Sequence, residues 1–380
     1  MMRGWIISTL IVTTFVLLGG ETTARAAGFY TVKGHLFYYD GRSQGMRPVD
    51  QYNGAANVTF YIYDEDQNSS DDLLATGIVD WDGRFEATFY FDQSSESYAD
   101  IYIHFIYHNS KWEVVASDGG HYWLYTETKP NRAYGIVDFG NLFVPRNTNH
   151  EKAMWVFQSM NEGWNYVEYI NAWDVGDQIT VQWPGHPECP TSCADWDGIQ
   201  IAQNRAGDTV NVIHEYGHMV NFRAWGGTGP DPYYCLTEGP NADNCGHNWN
   251  SWEENYTAFM EGWANFVAYA TLGCIGNNDC LDIEDRSYNV MDAGNEGNVT
   301  AVLGDILDDH PDSHAQDIFK GYDGISWNFY GMVWILGHMS EDEIDAKPTI
   351  KHYVNEIREV YDDISYIAWH ELMHNSWVIY

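Results

Sequence analysis

Basic residues are scarce in this chain. Only 18 of its 380 residues are Lys or Arg, against 55 Asp and Glu, so its formal net charge is −37. Nucleic acids and anionic membrane surfaces bind proteins through basic patches, and this balance argues against both as partners. A disordered acidic tail would also be poor in aromatic residues, whereas this chain has 17 Trp and 27 Tyr. The composition therefore predicts a folded, soluble protein that works outside the cell.

Long apolar runs are equally rare. The one near the N-terminus extends from Trp5 to Leu18 and is shorter than the ~20 residues of a membrane-spanning helix. Arg3 precedes this run and Ala24-Arg25-Ala26 follows it, which is the order found in a cleavable secretory signal peptide. A retained signal anchor is the alternative. We expect residues 1–26 to be a signal peptide, and the mature protein to be secreted, extracellular or periplasmic, with no membrane association after cleavage.

Cysteine is absent from the first 188 residues. A Cys-type zinc knuckle needs two cysteines separated by two residues, and none of the close cysteine pairs in this chain has that spacing. In an oxidising compartment the clustering instead predicts three local disulfides. The three candidate pairs are Cys189/Cys193, Cys235/Cys245 and Cys274/Cys280.

Helical periodicity is missing between residues 28 and 145. Apolar and polar residues alternate over 58–63, 85–91 and 101–107, and acidic or glycine-rich turn segments separate these runs. Several short strands of this kind predict an all-β sandwich over residues 27–145. The stretch 55–85, with its Val79-Asp80-Trp81-Asp82-Gly83 turn, resembles the transthyretin-like or carboxypeptidase-regulatory type of sandwich.

The pattern changes after residue 146. Ala153, Val156, Met160 and Val167 recur at helical spacing. We therefore place a domain boundary near residue 146 and expect a second domain over 146–380.

The strongest chemical signal is His214-Glu215-Tyr216-Gly217-His218. Two histidines four residues apart on one helix share a face, so both imidazoles can bind one metal ion. Glu215 follows the first ligand and is placed to take a proton from a water that the metal activates. A catalytic zinc site needs a third protein ligand.

Two glutamates compete for the role of third ligand. The metzincin histidine is excluded, because Ala224 stands at its position. Glu238 follows His218 at the thermolysin-like separation but lies in a turn context. Glu261 stands alone in a long apolar helix pattern over 256–269. A buried carboxylate is unfavourable unless it is paired or binds a metal, so we favour Glu261.

These two motifs resemble those of the gluzincin metallopeptidases, secreted forms of which carry the third ligand in an E-G-x-A helix. The resemblance covers roughly residues 150–380 and implies a Zn2+ ion, a peptide or protein substrate, ligands at His214, His218 and Glu261, and a general base at Glu215. It also implies a transition-state donor, for which Tyr330 and His338 are candidates. Asn265 matches the position where thermolysin-like members carry an aspartate that supports a zinc histidine.

The resulting fold class is multidomain: an N-terminal all-β sandwich followed by an α+β, mostly helical zincin-like metallopeptidase domain. The predicted function is a secreted zinc peptidase. The alternative is a non-catalytic extracellular protein that binds glycan or peptide through exposed aromatics and carries a degenerate zincin domain. The motifs select no oligomeric state.

Two further segments have weaker signals. His370-Glu371-Leu372-Met373-His374 repeats the HExxH pattern close to the C-terminus. No third ligand is evident for it, so we expect a packed helix without metal. The acidic residues of 302–317 are compatible with a calcium (Ca2+) site, but they lack EF-hand spacing, and solvated acidic loops are the simpler interpretation.

Overall fold

The computed structural model describes residues 28–44, 47–48, 51–66, 69–91, 98–187, 189, 191–226, 255–274, 296–307, 329–339 and 349–360. The predicted signal peptide (1–26) and the second HExxH motif (370–374) lie outside these residues, and both stay predictions. The described part is rich in β-sheet in its first half and carries helices in its second half.

Twelve described strands precede residue 146. They are β1 (Gly28–Asp40), β2 (Ser43–Gln44), β3 (Arg47–Pro48), β4 (Gln51–Gly54), β5 (Thr59–Asp64), β6 (Asp72–Ile78), β7 (Arg84–Phe91), β8 (Ala99–Ile106), β9 (Trp112–Val115), β10 (Trp123–Tyr125), β11 (Lys129–Arg132) and β12 (Gly135–Phe143). Strands β5, β7 and β8 lie where sequence alternation predicts them. In β8 every second side chain is buried, because successive residues of a strand point to opposite faces of the sheet.

Two sheets face each other across an apolar core. One has the order β12-β1-β4, with β7 also paired to β1; the other has the order β10-β8-β5-β6, with β11 paired to β8. Phe85 of the first sheet packs against Phe60 and Phe105 of the second, with ring centroids 5.6 and 5.3 Å apart. All three rings are almost fully buried. This is the arrangement of a sandwich, in which inward-facing side chains of two sheets form one core.

A third sheet crosses the predicted boundary at residue 146. Its order is β14-β15-β13-β9, where β13 is Ile179–Gln182, β14 is Cys193–Asp195 and β15 is Gly198–Gln200. Strand β9 comes from the first half of the chain and pairs in parallel with β13. Strand β14 is antiparallel to β15 and is the last of the described strands on that side of the sheet. Strand β15 lies just upstream of the HExxH helix and is internal to this sheet.

Six helices are described. They are α1 (Asn149–Trp164), which continues into a π-helical segment (Asn165–Ile170), α2 (Thr209–Ala224), α3 (Asn255–Thr271), α4 (Glu296–Leu307), α5 (Phe329–Leu336) and α6 (Ile350–Val360). Thr148 caps α1 by accepting from the Glu151 backbone N–H, and Asp208 caps α2 by accepting from that of Asn211. Such caps satisfy N–H groups that the first turn of a helix leaves unpaired.

A buried ion-pair network fixes α1 to the first sheet. The guanidinium of Arg42, which is 2% exposed, donates to both carboxylate oxygens of Asp40 at 2.8 Å. It also donates to Ser159 Oγ at 3.0 Å and to Glu162 Oε1 at 2.7 Å on α1. Burial alone would raise the pKa of Asp40, but its hydrogen bonds with Arg42 outweigh burial and hold that pKa below its usual value. The two halves of the chain are therefore joined by a satisfied network as well as by the shared sheet.

No helix within the described ranges is both long enough and apolar enough to cross a bilayer.

Candidate metal centre

The HExxH residues occupy the middle of α2. His214 and His218 are one turn apart, and their Nε2 atoms lie 3.2 Å from each other with the rings perpendicular, at 89°. Residues at this separation lie on the same side of a helix, so both imidazoles are directed to one point. The two side chains retain 12% and 10% exposure, so solvent can reach the pair.

Helix α3 brings Glu261 to the same point. Glu261 Oε2 lies 3.0 Å from His214 Nε2 and 3.5 Å from His218 Nε2. The close approach of α3 depends on Gly217, because a Cβ at that position would lie 2.9 Å from the Ala264 Cα. The glycine between the two histidines therefore permits the carboxylate to reach them.

The donor set fits zinc. Zinc takes His nitrogen and carboxylate oxygen at about 2.0–2.1 Å in tetrahedral sites, so two of its ligand atoms are roughly 3.3 Å apart. The three separations in this cluster are 3.0, 3.2 and 3.5 Å. Among the described residues, these three side chains are the group of His, Cys, Asp and Glu that could hold a metal ion.

Glu215 is adjacent to the first histidine and is 4% exposed. A carboxylate in such a place needs polar partners, since burial of a charge without them is strongly unfavourable. Its burial beside the ligand cluster is compatible with a general base that works in a partly dehydrated site. Its catalytic role stays a prediction.

Asn265 contacts His214 at Nδ1, the ring nitrogen opposite the one that faces Glu261. Its Oδ1 lies 2.9 Å from His214 Nδ1, and its Nδ2 lies 3.3 Å from Glu296 Oε2 at the start of α4. The sequence pattern pointed to Asn265 but missed Glu296, which is 31 residues further along the chain. The signal that was available is an acid at the first position of an apolar helix.

Two other candidates lie in contacts of their own. Tyr330 packs edge-on against Trp173, with ring centroids 5.5 Å apart. His338 packs against Trp334, and its Nδ1 lies 2.9 Å from the Trp334 carbonyl oxygen. Neither contact includes a member of the ligand cluster, and the role of both residues as transition-state donors stays a prediction.

One predicted disulfide is described in full. Cys189 and Cys193 are bonded, with their Cα atoms 5.9 Å apart, and Cys274 is also disulfide-bonded. Cys235, Cys245 and Cys280 lie outside the described residues, as does the competing ligand Glu238. Most of the acidic segment 302–317 lies outside them too, so the Ca2+ site stays a prediction.

Aromatic side chains pack in succession from the β14–β15 turn to His218. Trp196, in the turn between β14 and β15, packs on Phe222 of α2 with centroids 4.6 Å apart, and Phe222 stacks on His218 at 6.1 Å. Ser192 donates to Asn211 Oδ1 at 2.7 Å and accepts from the Ala202 backbone N–H at 3.0 Å. These contacts hold the edge of the third sheet beside the helix that carries both histidines.

No protein-family model and no curated protein matches the chain. A 9R-lipoxygenase from Cyanothece PCC8801 is similar over 42% of this chain and 25% of its own, with 17% identity and a TM-score of 0.22. A variant of the shaft pilin SpaA from Lactobacillus rhamnosus GG is similar over 31% of this chain and 50% of its own, with 16% identity and a TM-score of 0.17. The chain thus spans about a quarter of the lipoxygenase and about half of the pilin. Similarity at this level assigns no activity.

Proposed function

We propose that this protein is a secreted zinc-dependent peptidase with a zincin-like domain after its β-sandwich. The convergence of His214, His218 and Glu261 carries the proposal, because three ligands of this chemistry leave a tetrahedral ion one open position. Structural zinc sites are closed by four protein ligands, whereas catalytic sites keep a place for water or substrate. Side chains that are 10–15% exposed are suited to the second type.

The residues divide the chemistry between them. Zinc in such a site supplies a Lewis acid that activates water and polarises a carbonyl. Glu215 would accept the proton of the attacking water and pass it to the leaving amine. Asn265 would keep the Nδ1 proton of His214 in place, which leaves Nε2 free to bind.

The edge strand supports a peptide as the substrate class. Among the described strands, β14 lies at the end of the third sheet and packs beside α2, and the end of a sheet is where an extended chain can add as a further strand. Strand addition of this kind binds peptides through main-chain hydrogen bonds, largely independent of their sequence. The Trp196–Phe222–His218 contacts place that edge next to the ligands.

The test combines metal analysis with peptide hydrolysis. We expect one zinc per wild-type chain and cleavage of casein or of a peptide library. Glu215→Gln should keep the zinc and lose roughly 10²–10⁴ in rate, because an amide cannot accept the proton. Glu261→Ala should lose the zinc, whereas Glu238→Ala should keep it.

Glu359→Gln is the matched control, since it makes the same change on the exposed side of α6. It should alter neither zinc content nor rate. Near-normal turnover by Glu215→Gln, or a wild-type protein that binds no zinc, would overturn the proposal.

A second candidate function is glycan or peptide binding by the β-sandwich. The outer face of the second sheet carries a run of exposed aromatics: Trp123 and Tyr125 are 47% and 52% exposed, and His104 stacks on Tyr125 at 4.1 Å. Exposed patches of this kind mark interaction sites. Binding of a glycan or peptide array that survives Glu215→Gln but not Trp123→Ala would support this function, and an array without any ligand would refute it.

A further inference from the structure

Glu296 is a buried carboxylate that the proposed catalytic chemistry does not use. It is 3% exposed and begins α4. A carboxylate at the first position of a helix is stabilised by the free N–H groups and dipole of that turn. Its Oε2 accepts from Asn265 Nδ2 at 3.3 Å. This contact joins α4 to the residue that lies directly behind His214.

The contact determines which way the Asn265 amide points. A carboxylate accepts hydrogen bonds and, when ionised, cannot donate them, so Asn265 must direct its NH₂ group at Glu296. Its oxygen then faces His214 Nδ1 at 2.9 Å. That nitrogen must carry the proton, and the lone pair of the imidazole is left on Nε2, the atom that faces Glu261 and His218.

Close helix packing holds Glu296 in this position. Gly262 follows the ligand Glu261, and a Cβ on it would lie 2.5 Å from the Val299 Cβ and 3.0 Å from the Glu296 carbonyl oxygen. The Thr300 hydroxyl lies within hydrogen-bond distance of two carbonyl oxygens, that of Gly262 at 3.0 Å and that of Glu296 at 2.8 Å. The backbones of α3 and α4 are thus in near contact, and the Glu296 side chain is buried beside Asn265.

We propose that Glu296 is a positioning residue of the metal centre. It orients Asn265 and, through Asn265, sets the tautomer of His214 that can bind zinc. This inference rests on the metal site of the proposed function but does not require that the site hydrolyses peptides. It also explains how a neutral Asn can support a zinc histidine. The supporting carboxylate is that of Glu296, which acts through Asn265 and does not contact His214 directly.

The experiment measures zinc affinity by competition with a chromophoric chelator. Loss of an outer partner of a metal-bound histidine typically lowers affinity about 10–100-fold. We expect that loss for Glu296→Ala and for Asn265→Ala, and no further loss when both changes are combined, because the two residues act as one unit. Glu359→Ala, an exposed helical glutamate, is the matched control and should change nothing.

An exchange of the two groups gives the sharpest test. Asn265→Asp alone places two carboxylates within hydrogen-bond distance and should weaken zinc binding. Asn265→Asp combined with Glu296→Gln restores the pattern, because the new amide at position 296 would donate to the new carboxylate at position 265, which would still accept from His214 Nδ1. The double variant should bind zinc at least as tightly as wild type, since a carboxylate in direct contact raises the basicity of the histidine. A packing role alone predicts no such rescue.

The tautomer can be read without metal or substrate. In 15N-histidine spectra of the metal-free protein, His214 should be protonated at Nδ1 in wild type and lose that preference in Glu296→Ala, with His214→Gln used for assignment. If Glu296→Ala does not fold, the zinc affinity of the double variant Asn265→Asp/Glu296→Gln provides the test. Wild-type zinc affinity and tautomer in Glu296→Ala, or no rescue in the exchanged pair, would overturn the inference. A protein that binds zinc in this pattern but cleaves no peptide would refute the proposed function alone.

Discussion

Gly217→Ala should separate the ligands of the metal centre with little effect on the fold. The added methyl carbon would lie 2.9 Å from Ala264 Cα, 3.0 Å from the Ala264 carbonyl oxygen and 3.1 Å from Val267 Cβ. Carbon atoms in favourable contact are about 3.5–4.0 Å apart. Two of the three obstructing atoms belong to the α3 backbone and cannot rotate away. Helix α3 must therefore move by about 0.5–1 Å relative to α2.

That displacement is large on the scale of metal coordination. Distances in a zinc site are held to within about 0.2 Å, and Glu261 moves with α3 while both histidines stay on α2. We expect zinc affinity to fall at least about tenfold. Overpacking costs about 1–3 kcal/mol, and the better helix propensity of Ala returns about 1 kcal/mol. The free energy of unfolding should therefore fall by only about 0–2 kcal/mol.

The assay compares chelator competition with thermal unfolding of the metal-free protein. Gly207→Ala is the control, because a Cβ there would meet the Trp155 ring at an ordinary 3.4 Å just before α2 begins. It should keep both zinc affinity and melting temperature. If Gly217→Ala bound zinc as tightly as wild type, the argument that this glycine sets the ligand spacing would be wrong.

Three further predictions concern stability. Arg42→Met leaves the buried Asp40 without its cationic partner and should lower the free energy of unfolding by about 3–5 kcal/mol, as measured by urea unfolding. Asp40→Asn in the same chain should recover part of the loss. Burial lowers the pKa values of His104, His108 and His150 below 6.5 in the folded state. Below about pH 6.5 the unfolded chain therefore binds more protons than the folded chain, and the melting temperature of the metal-free protein should fall from pH 7 toward pH 5. Replacing the three histidines with Gln should flatten that fall, and an unchanged pH profile would refute the prediction. At a net charge of −37 the acidic side chains repel one another, and added NaCl screens this repulsion, so it should raise the melting temperature. A melting temperature that stays constant or falls with NaCl would contradict the prediction.

The periodicity of apolar residues predicted those strands and helices in which the residues themselves determine the buried face. The alternation of 101–107 corresponds to β8 because one face of that strand is buried and the other is not. The helical spacing around His214 and Glu261 corresponds to α2 and α3, and the side chains of both motifs do lie together. A lone carboxylate in an apolar helix pattern pointed to Glu261, which does lie beside the two histidines; its choice over Glu238 as a metal ligand stays a prediction.

The contacts that were missed are those between distant segments. Strand β9 pairs with β13, although Trp112 and Ile179 are far apart in sequence, and no periodicity records that pairing. Glu296 reaches Asn265 across 31 residues for the same reason. The order β14-β15-β13-β9 could not be predicted either, because strand order in a sheet depends on such pairings and not on the residues of one strand.

Backbone contacts, more than long side chains, set the geometry of the candidate centre. Gly217 allows α3 to approach α2, and Gly262 allows α4 to approach α3, so the candidate ligand Glu261 and the nearby Glu296 are each placed by a helix pair in near contact. The Ser43 backbone N–H donates to the Gly207 carbonyl at 2.8 Å and ties the β-sandwich to the residue that precedes the capping Asp208. Packed interiors yield little to small forces. The two glycine contacts therefore limit how far Glu261 can move from the two histidines and how far α4 can move from α3.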